Sequence, residues 1–224
     1  ERIVKNYMIP TMLKFFNNWI KDKVYEIGSV IAFVPRYRSA LQIIKSITKY
    51  YSKENSINFF VLQAKIRKGE SVLNFNERLL REIELAAAER GSEDDTSNLL
   101  FILPINLAGN ITEEEKRYVE SPLPLAFLKR KVVRIVFTTD KNEGLISIPD
   151  VTVVFDSGLT ENEYYNIDQA ISYYKEDLLP ESIIDQHDQL ISIENSIHFI
   201  FNDKNAARPK TLSPPIQRCD MTHA

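Results

Sequence analysis

Residues 131–158, KVVRIVFTTDKNEGLISIPDVTVVFDSG, constrain the fold of this chain more than any other stretch. They contain two short runs of β-branched and aromatic residues, 132–138 and 151–155, which read as buried strands. A polar loop, 139–150, joins them. A run that is apolar on both faces suits a parallel sheet covered by helices, because an antiparallel strand with one wet face alternates apolar and polar residues. The expectation is therefore an α/β protein, a mainly parallel twisted sheet with helices on both faces, with these two strands as parallel neighbours. In such sheets ligands bind beyond the carboxyl ends of the strands, which is where Thr138, Thr139, Asp140 and Glu143 fall.

The stretch also resembles motif V of the DExH-box (DEAH/RHA) RNA helicases, a strand followed by A-T-N-I-A-E-T-S-[LIV]-T-[IV]-x-[DN]-V, a second strand and D-[SP]-G. Thr139, Glu143, Ser147, Ile148, Asp150, Val151, Asp156, Ser157 and Gly158 stand on matching positions without a gap. Upstream, GSVIAFVPRYRSALQIIKSI resembles the motif IV region of the same family, with Arg36 where those proteins usually carry glycine. The resemblance implies a RecA-like fold of the P-loop NTPase type, the second of the two such domains that a helicase closes around ATP and RNA. It implies a domain over residues 1–205 with an inserted or elaborated strand–helix segment at about 52–98, and an irregular tail at 206–224.

Helical periodicity supports that layout. Met12, Leu13, Phe16, Trp19 and Ile20 share one face of a helix at 9–20. Ala40, Ile43, Ile44 and Ile47 do so over 36–51, and Leu79, Leu80, Ile83 and Ala87 over 75–90. Strands are expected at 30–34, 57–62 and 99–105. Thr112 before Glu113, Glu114 and Glu115 predicts a capped helix over 113–119.

The catalytic signature is missing where the family would carry it. No G-x-x-x-x-G-K-[ST] and no D-E-x-H box occurs on the chain. At the distance of motif VI, W-I-S-K-A-S-A-x-Q-R-x-G-R-x-G-R, the sequence reads ISIENSIHFIFNDKN. His198 and Phe199 replace Gln-Arg, Phe201 and Lys204 replace glycines, and Asn202 and Asn205 replace the two later arginines. Those arginines are the family's γ-phosphate fingers, and a neutral, short asparagine supplies no delocalised cation to a developing phosphoryl charge. Loss of such a finger is worth about 10³–10⁵ in rate. A rival register opening at Gln217-Arg218 runs into CDMTHA and no Gly-Arg pair. In either register the domain is expected to be non-catalytic, with no catalytic residues.

Other chemistry is sparse. Cys219 and His223 are two candidate metal ligands where a zinc site needs more, so no metal and no cofactor is expected. His187, within DQHDQ, reads as a solvated loop residue, and His198 as a half-buried one. A net charge of −3 gives no overall basic footprint for nucleic acid. One cysteine and no apolar run of membrane-spanning length point to a cytoplasmic protein away from membranes. The chain begins at Glu1, which reads as a fragment of something larger.

These observations imply a degenerate helicase domain acting as a protein- or RNA-binding scaffold in post-transcriptional regulation of mRNA. Degenerate proteins of this family include translational regulators of germ-cell differentiation, which sets the implied context. The alternatives are the second domain of an active ATP-dependent RNA helicase, and a purely structural RecA-like domain. Any RNA contact is expected to be weak and to use Arg36, Thr138, Thr139 and Lys141. A regulatory protein partner is the main expected ligand, at Phe16 and Trp19, at the 75–90 helix, or at Tyr164, Tyr165, Tyr173 and Tyr174.

Overall fold

A computed structural model describes residues 2–22, 28–52, 59–63, 65–89, 99–190 and 197–201, with 19–22, 89 and 143–145 described by backbone alone. Its centre is a parallel sheet of six strands: β1 (Ser29–Phe33), β2 (Phe59–Val61), β3 (Leu100–Asn106), β4 (Val132–Thr138), β5 (Val151–Asp156) and β8 (Ile197–Ile200). Their order is β2-β3-β4-β1-β5-β8, with every neighbouring pair parallel. Two further strands, β6 (Leu159–Asn166) and β7 (Ile171–Leu178), form a separate antiparallel hairpin.

The apolar runs form strands because the sheet buries both of their faces, as the fully buried patterns of β1 and β4 show. One face packs against α1 (Ile9–Asp22) and α2 (Tyr37–Tyr51), through Met12, Phe16, Ala40, Ile43 and Ile47. The other packs against α3 (Val72–Glu89), α4 (Glu113–Glu120) and α5 (Leu125–Lys129), through Phe75, Leu79, Ile83, Val119 and Phe127. A π-helical turn, Val4–Met8, precedes α1 and closes with the Ile9 N–H on the Val4 carbonyl. It lies just before Pro10, which has no N–H to offer the ladder. Thr112 caps α4 in a reciprocal box with Glu115.

The predicted adjacency of β4 and β5 is wrong. The first strand of the sheet, β1, lies between them, pairing Ser29 with Arg134 on one side and with Val151 on the other. Residues 139–150 therefore step across a strand, beginning with a 3₁₀ turn, Asp140–Leu145. The crossing is tight at Gly28, where an added Cβ would sit 2.0 Å from the Asp150 carbonyl oxygen. That closeness lets the same carbonyl accept the Ser29 N–H at 2.7 Å.

The segment at 52–98 supplies an edge strand, β2, and a covering helix, α3, to the same sheet. The hairpin, and the helix α6 (Glu181–Gln189) that follows it, have no counterpart in the apolar pattern of the sequence. Leu190, after α6, packs on a third cluster formed by Ile31, Phe33, Val151 and Val154. The tail at 206–224 lies outside the described residues.

Candidate functional site at the carboxyl ends of the strands

The carboxyl ends of β1, β4 and β5 converge, and their side chains are turned inward or onto the hairpin. Thr138 and Thr139 close β4 with little exposure, 3% and 7%. The Thr138 hydroxyl reaches the Thr139 carbonyl at 3.5 Å, so both residues complete the strand end rather than display hydroxyls. The Val34 N–H caps the Thr138 carbonyl at 2.9 Å.

Arg36, immediately before α2, makes no side-chain cap for that helix. Its guanidinium instead spans the base of the hairpin, with Nη1 3.1 Å from Glu161 Oε1 and Nη2 3.1 Å from Glu176 Oε1. Glu161 and Glu176 are direct cross-strand partners. Two carboxylates so placed repel, and the planar fork of an arginine neutralises both at once. Lys141 donates from Nζ to the Glu161 carbonyl. Thr160 donates its hydroxyl to both oxygens of Asp140, at 3.1 and 3.0 Å. Burial pushes the Asp140 carboxyl up, with the Thr160 bond and Lys141 opposing.

Behind this latch lies a buried carboxylate. Asp156 ends β5 with no exposure and accepts the Gly158 N–H on Oδ1 at 2.6 Å. Gly158 holds a left-handed φ of 65°, which glycine adopts without strain. Oδ2 lies 2.6 Å from His187 Nδ1, and the imidazole stacks flat on Phe33 with centroids 3.5 Å apart. His198 sits in β8 with Nδ1 3.0 Å from Asp188 Oδ1 and Nε2 3.9 Å from Asp156 Oδ2. Burial drives the Asp156 carboxyl up, but the imidazoles of His187 and His198 and the Gly158 amide outweigh it and hold it at about 2. His198 is raised: burial opposes its charge, and Asp156 and Asp188 prevail. As an ionised carboxylate Asp156 only accepts, so His187 Nδ1 carries the bridging hydrogen.

The placement of His187 corrects the sequence reading. It is fully buried on α6 rather than solvated in a loop. The polar run DQHDQ hides it because only Ile184, three residues earlier, shares its buried face, too short a stripe to stand out as a period. Phe16 is likewise not a surface residue: it has no exposure and packs within the α1–sheet core beside Phe15 and Phe155. Trp19 belongs to α1, and its side chain lies outside the described residues. Phe199 is drawn inward too, stacking on Phe155 at 5.0 Å. The Glu143 side chain, Asn202 and Asn205 lie outside the described residues.

The tyrosines separate by position. Tyr164 is half-buried, its hydroxyl on Asp177 and its ring 5.7 Å from Tyr173. Tyr165, Tyr173 and Tyr174 are exposed, the last to 64%. They share the hairpin with exposed Ile167 and Ile171.

No protein-family model matches the chain, and no curated protein matches it either. Solved structures do. The crystal structure of the Escherichia coli DEAH/RHA helicase HrpB matches 88% of this chain with a TM-score of 0.53 at 12% identity. A second HrpB structure, described as a DExH-box NTPase, matches 84% with a TM-score of 0.43 at 15% identity. The chain spans 18% of the length of the first and 21% of the second. With its parallel sheet and helices on both faces, the fold is that of a helicase RecA-like domain. Among the described residues no helix is long and apolar enough to cross a membrane.

Proposed function

We propose that this chain is a non-catalytic, DExH-helicase-related domain that serves as a binding platform for a regulatory protein in post-transcriptional control of mRNA. The observation that carries this reading is the use made of the carboxyl ends of the strands. A phosphate site there needs cations and N–H donors aimed at the ligand. Arg36 is instead held between Glu161 and Glu176, and Lys141 reaches the hairpin backbone. Thr138 and Thr139 are buried. The sequence adds the missing P-loop and the asparagines at 202 and 205. What the domain offers outward is aromatic: Tyr165, Tyr173 and Tyr174 on the hairpin. Tyrosine is enriched among the few interface residues that dominate binding.

Contact with RNA through Arg36, Thr138, Thr139 and Lys141 requires breaking the Arg36 and Lys141 contacts first, so it is weak, and it weakens further with salt. The setting in translational regulation and germ-cell differentiation rests on the motif V resemblance. Steady-state ATPase of the full-length protein, with and without single-stranded RNA, tests the proposal. The expected result is no RNA-stimulated turnover together with recovery of a protein partner. Robust RNA-stimulated hydrolysis would make this the second domain of an active ATP-dependent RNA helicase instead.

A further inference from the structure

The two helical layers of the sheet carry charge differently. The π-helical turn, α1 and α2 cover one face. Over residues 2–18 and 37–51 this layer has six cations, Arg2, Lys5, Lys14, Arg38, Lys45 and Lys49, and no aspartate or glutamate. All six are exposed, and among the described residues none forms an ion pair. In this they differ from Arg36 and Lys141, which the hairpin holds. The opposite layer mixes both signs, with Arg78 between Glu70 and Glu82. A net charge of −3 for the whole chain conceals the asymmetry, because it adds a basic face to an acidic remainder.

Along α2 the cations form a row. Arg38, Lys45 and Lys49 are seven and four residues apart. That spacing sets them within about 40° of one another around the helix and along about 16 Å of its length. They lie opposite the buried Ser39, Ala40, Ile43 and Ile47. A hollow of about 400 Å³ opens on this row, lined among the described residues by the three cations with Leu41, Gln42 and Ser46. Leu41 is half-buried and is not among the side chains packed on the three core clusters. It gives the hollow an apolar side, which the alkyl stems of the lysines and the arginine extend beneath their charged heads.

From this we infer that the outer face of α2 docks an acidic, amphipathic helix of a protein partner, with an apolar side chain in the hollow and carboxylates along the row. The inference rests on the platform reading above and names the chemistry of the partner and a surface for it apart from the hairpin. Charge selects an acidic ligand, since no carboxylate of this layer competes for the cations. The hollow selects protein over nucleic acid: a leucine or phenylalanine side chain fills it, whereas a phosphate backbone brings no apolar group to Leu41. Spacing selects a helix. Residues four and seven apart share one face of a helix, so carboxylates at those intervals on a partner helix meet Arg38, Lys45 and Lys49 in turn.

The test uses the full chain and a synthetic helical peptide with leucine on one face and glutamate flanking it. Its comparators are the same peptide with glutamine for glutamate, oligoglutamate and oligouridine. The leucine–glutamate peptide is expected to bind about tenfold or more tightly than each of the three, and less tightly as salt rises. Lys45→Glu combined with Lys49→Glu should weaken its binding by about tenfold or more. Leu41→Gln should weaken it too, while leaving oligoglutamate binding unchanged. Failure of the leucine–glutamate peptide to bind overturns the inference, as does equal or tighter binding of any comparator; oligouridine in that place would make the face an RNA surface. Undiminished binding to the folded double variant overturns it as well, and should that variant unfold, Lys45→Gln with Lys49→Gln decides in its place. RNA-stimulated ATPase sinks the platform reading by a separate measurement. A partner captured equally by the wild type and the double variant sinks the α2 surface alone.

Discussion

Among the described residues, each end of the parallel sheet buries a charge, and the two ends stabilise it by opposite means. Near the amino ends Arg134, 1% exposed, donates to the Ser29 hydroxyl from Nε and Nη2, at 2.9 and 2.7 Å. Its Nη1 reaches the Tyr118 and Ser121 carbonyls at 3.0 and 2.9 Å. Its guanidinium also lies over the Tyr118 ring. Burial lowers its pKa, yet an arginine stays charged in any working solution. Near the carboxyl ends Asp156 relies on the Gly158 amide and on two imidazoles, of which His198, raised by Asp156 and Asp188, loses its charge as pH rises. The amino end is a permanent cation among fixed, neutral oxygens, whereas the carboxyl end is an anion whose support titrates.

Four experiments break or sharpen that contrast, in falling order of effect. Arg134→Met should cost about 3 kcal/mol, because it strands the Ser29 hydroxyl, the buried Tyr118 carbonyl and the part-buried Ser121 carbonyl without donors. The urea midpoint should drop with an unchanged slope; a loss no greater than that of a surface substitution would break the comparison at its strong end.

Asp156→Asn should cost about 2 kcal/mol near neutral pH, and it should also reshape the pH profile. The folded Asp156 carboxyl titrates at about 2, below its ordinary value. Its contribution is therefore complete above about pH 4 and lost as pH falls through the folded value. His198 is raised, so its contribution is complete below about pH 6.5 and lost as pH rises through the folded value. Wild type and Arg134→Met should both show the two limbs in denaturation midpoints measured across pH. Asp156→Asn should shrink both limbs, the acid one remaining in part through Asp177 and Glu70, which are also held below their ordinary values.

Thr112→Ala removes half of the capping box of α4 and should cost about 1 kcal/mol. α4 and the residue after it present the carbonyls that hold Arg134, so combining it with Arg134→Met should be less than additive in a double-mutant cycle. The smallest global effect belongs to Arg36→Gln, under about 1 kcal/mol, since the partly exposed pair is screened by water and salt. Its local effect is larger in proportion. Amides of β6 and β7 should exchange faster while those of β4 stay unchanged, and raised salt should move the wild type toward the variant.

The sequence reveals the strands and misses their neighbours for the same physical reason. A strand buried on both faces needs β-branched residues at every position, which marks β4 and β5 clearly, and Arg134 passes within that run because its donors are all satisfied. Nothing in that pattern states that β1 enters between them. Helices with one buried stripe, such as α2 and α3, are legible from spacing alone. The hairpin is not, because β7 buries no face and its turn, Ile167–Ala170, contains no glycine.

At the site, motif V marks Thr138, Thr139 and Asp156 as strand-end positions. It leaves their partners hidden. The Arg36–Glu161 pair joins residues 125 apart, and Asp156–His187 joins residues 31 apart across a polar segment without periodicity. Long-range pairing of isolated polar residues is fixed by the completed sheet, and a one-dimensional pattern does not encode it.

The insertion of β1 between β4 and β5 also sets an order of events during folding. Ser29 pairs with Arg134 and Val151, so the earliest strand of the sheet waits for the latest part of its core before either edge is covered. Closing loops of that length is entropically costly before any contact rewards it, which slows folding. A growing chain thus holds an apolar, two-edged strand in suspense until residues 132–156 have emerged, and strands in that condition recruit other chains. A segment cut before Val151 should accumulate as aggregate, and a chaperone acting during synthesis would have its substrate at residues 29–33.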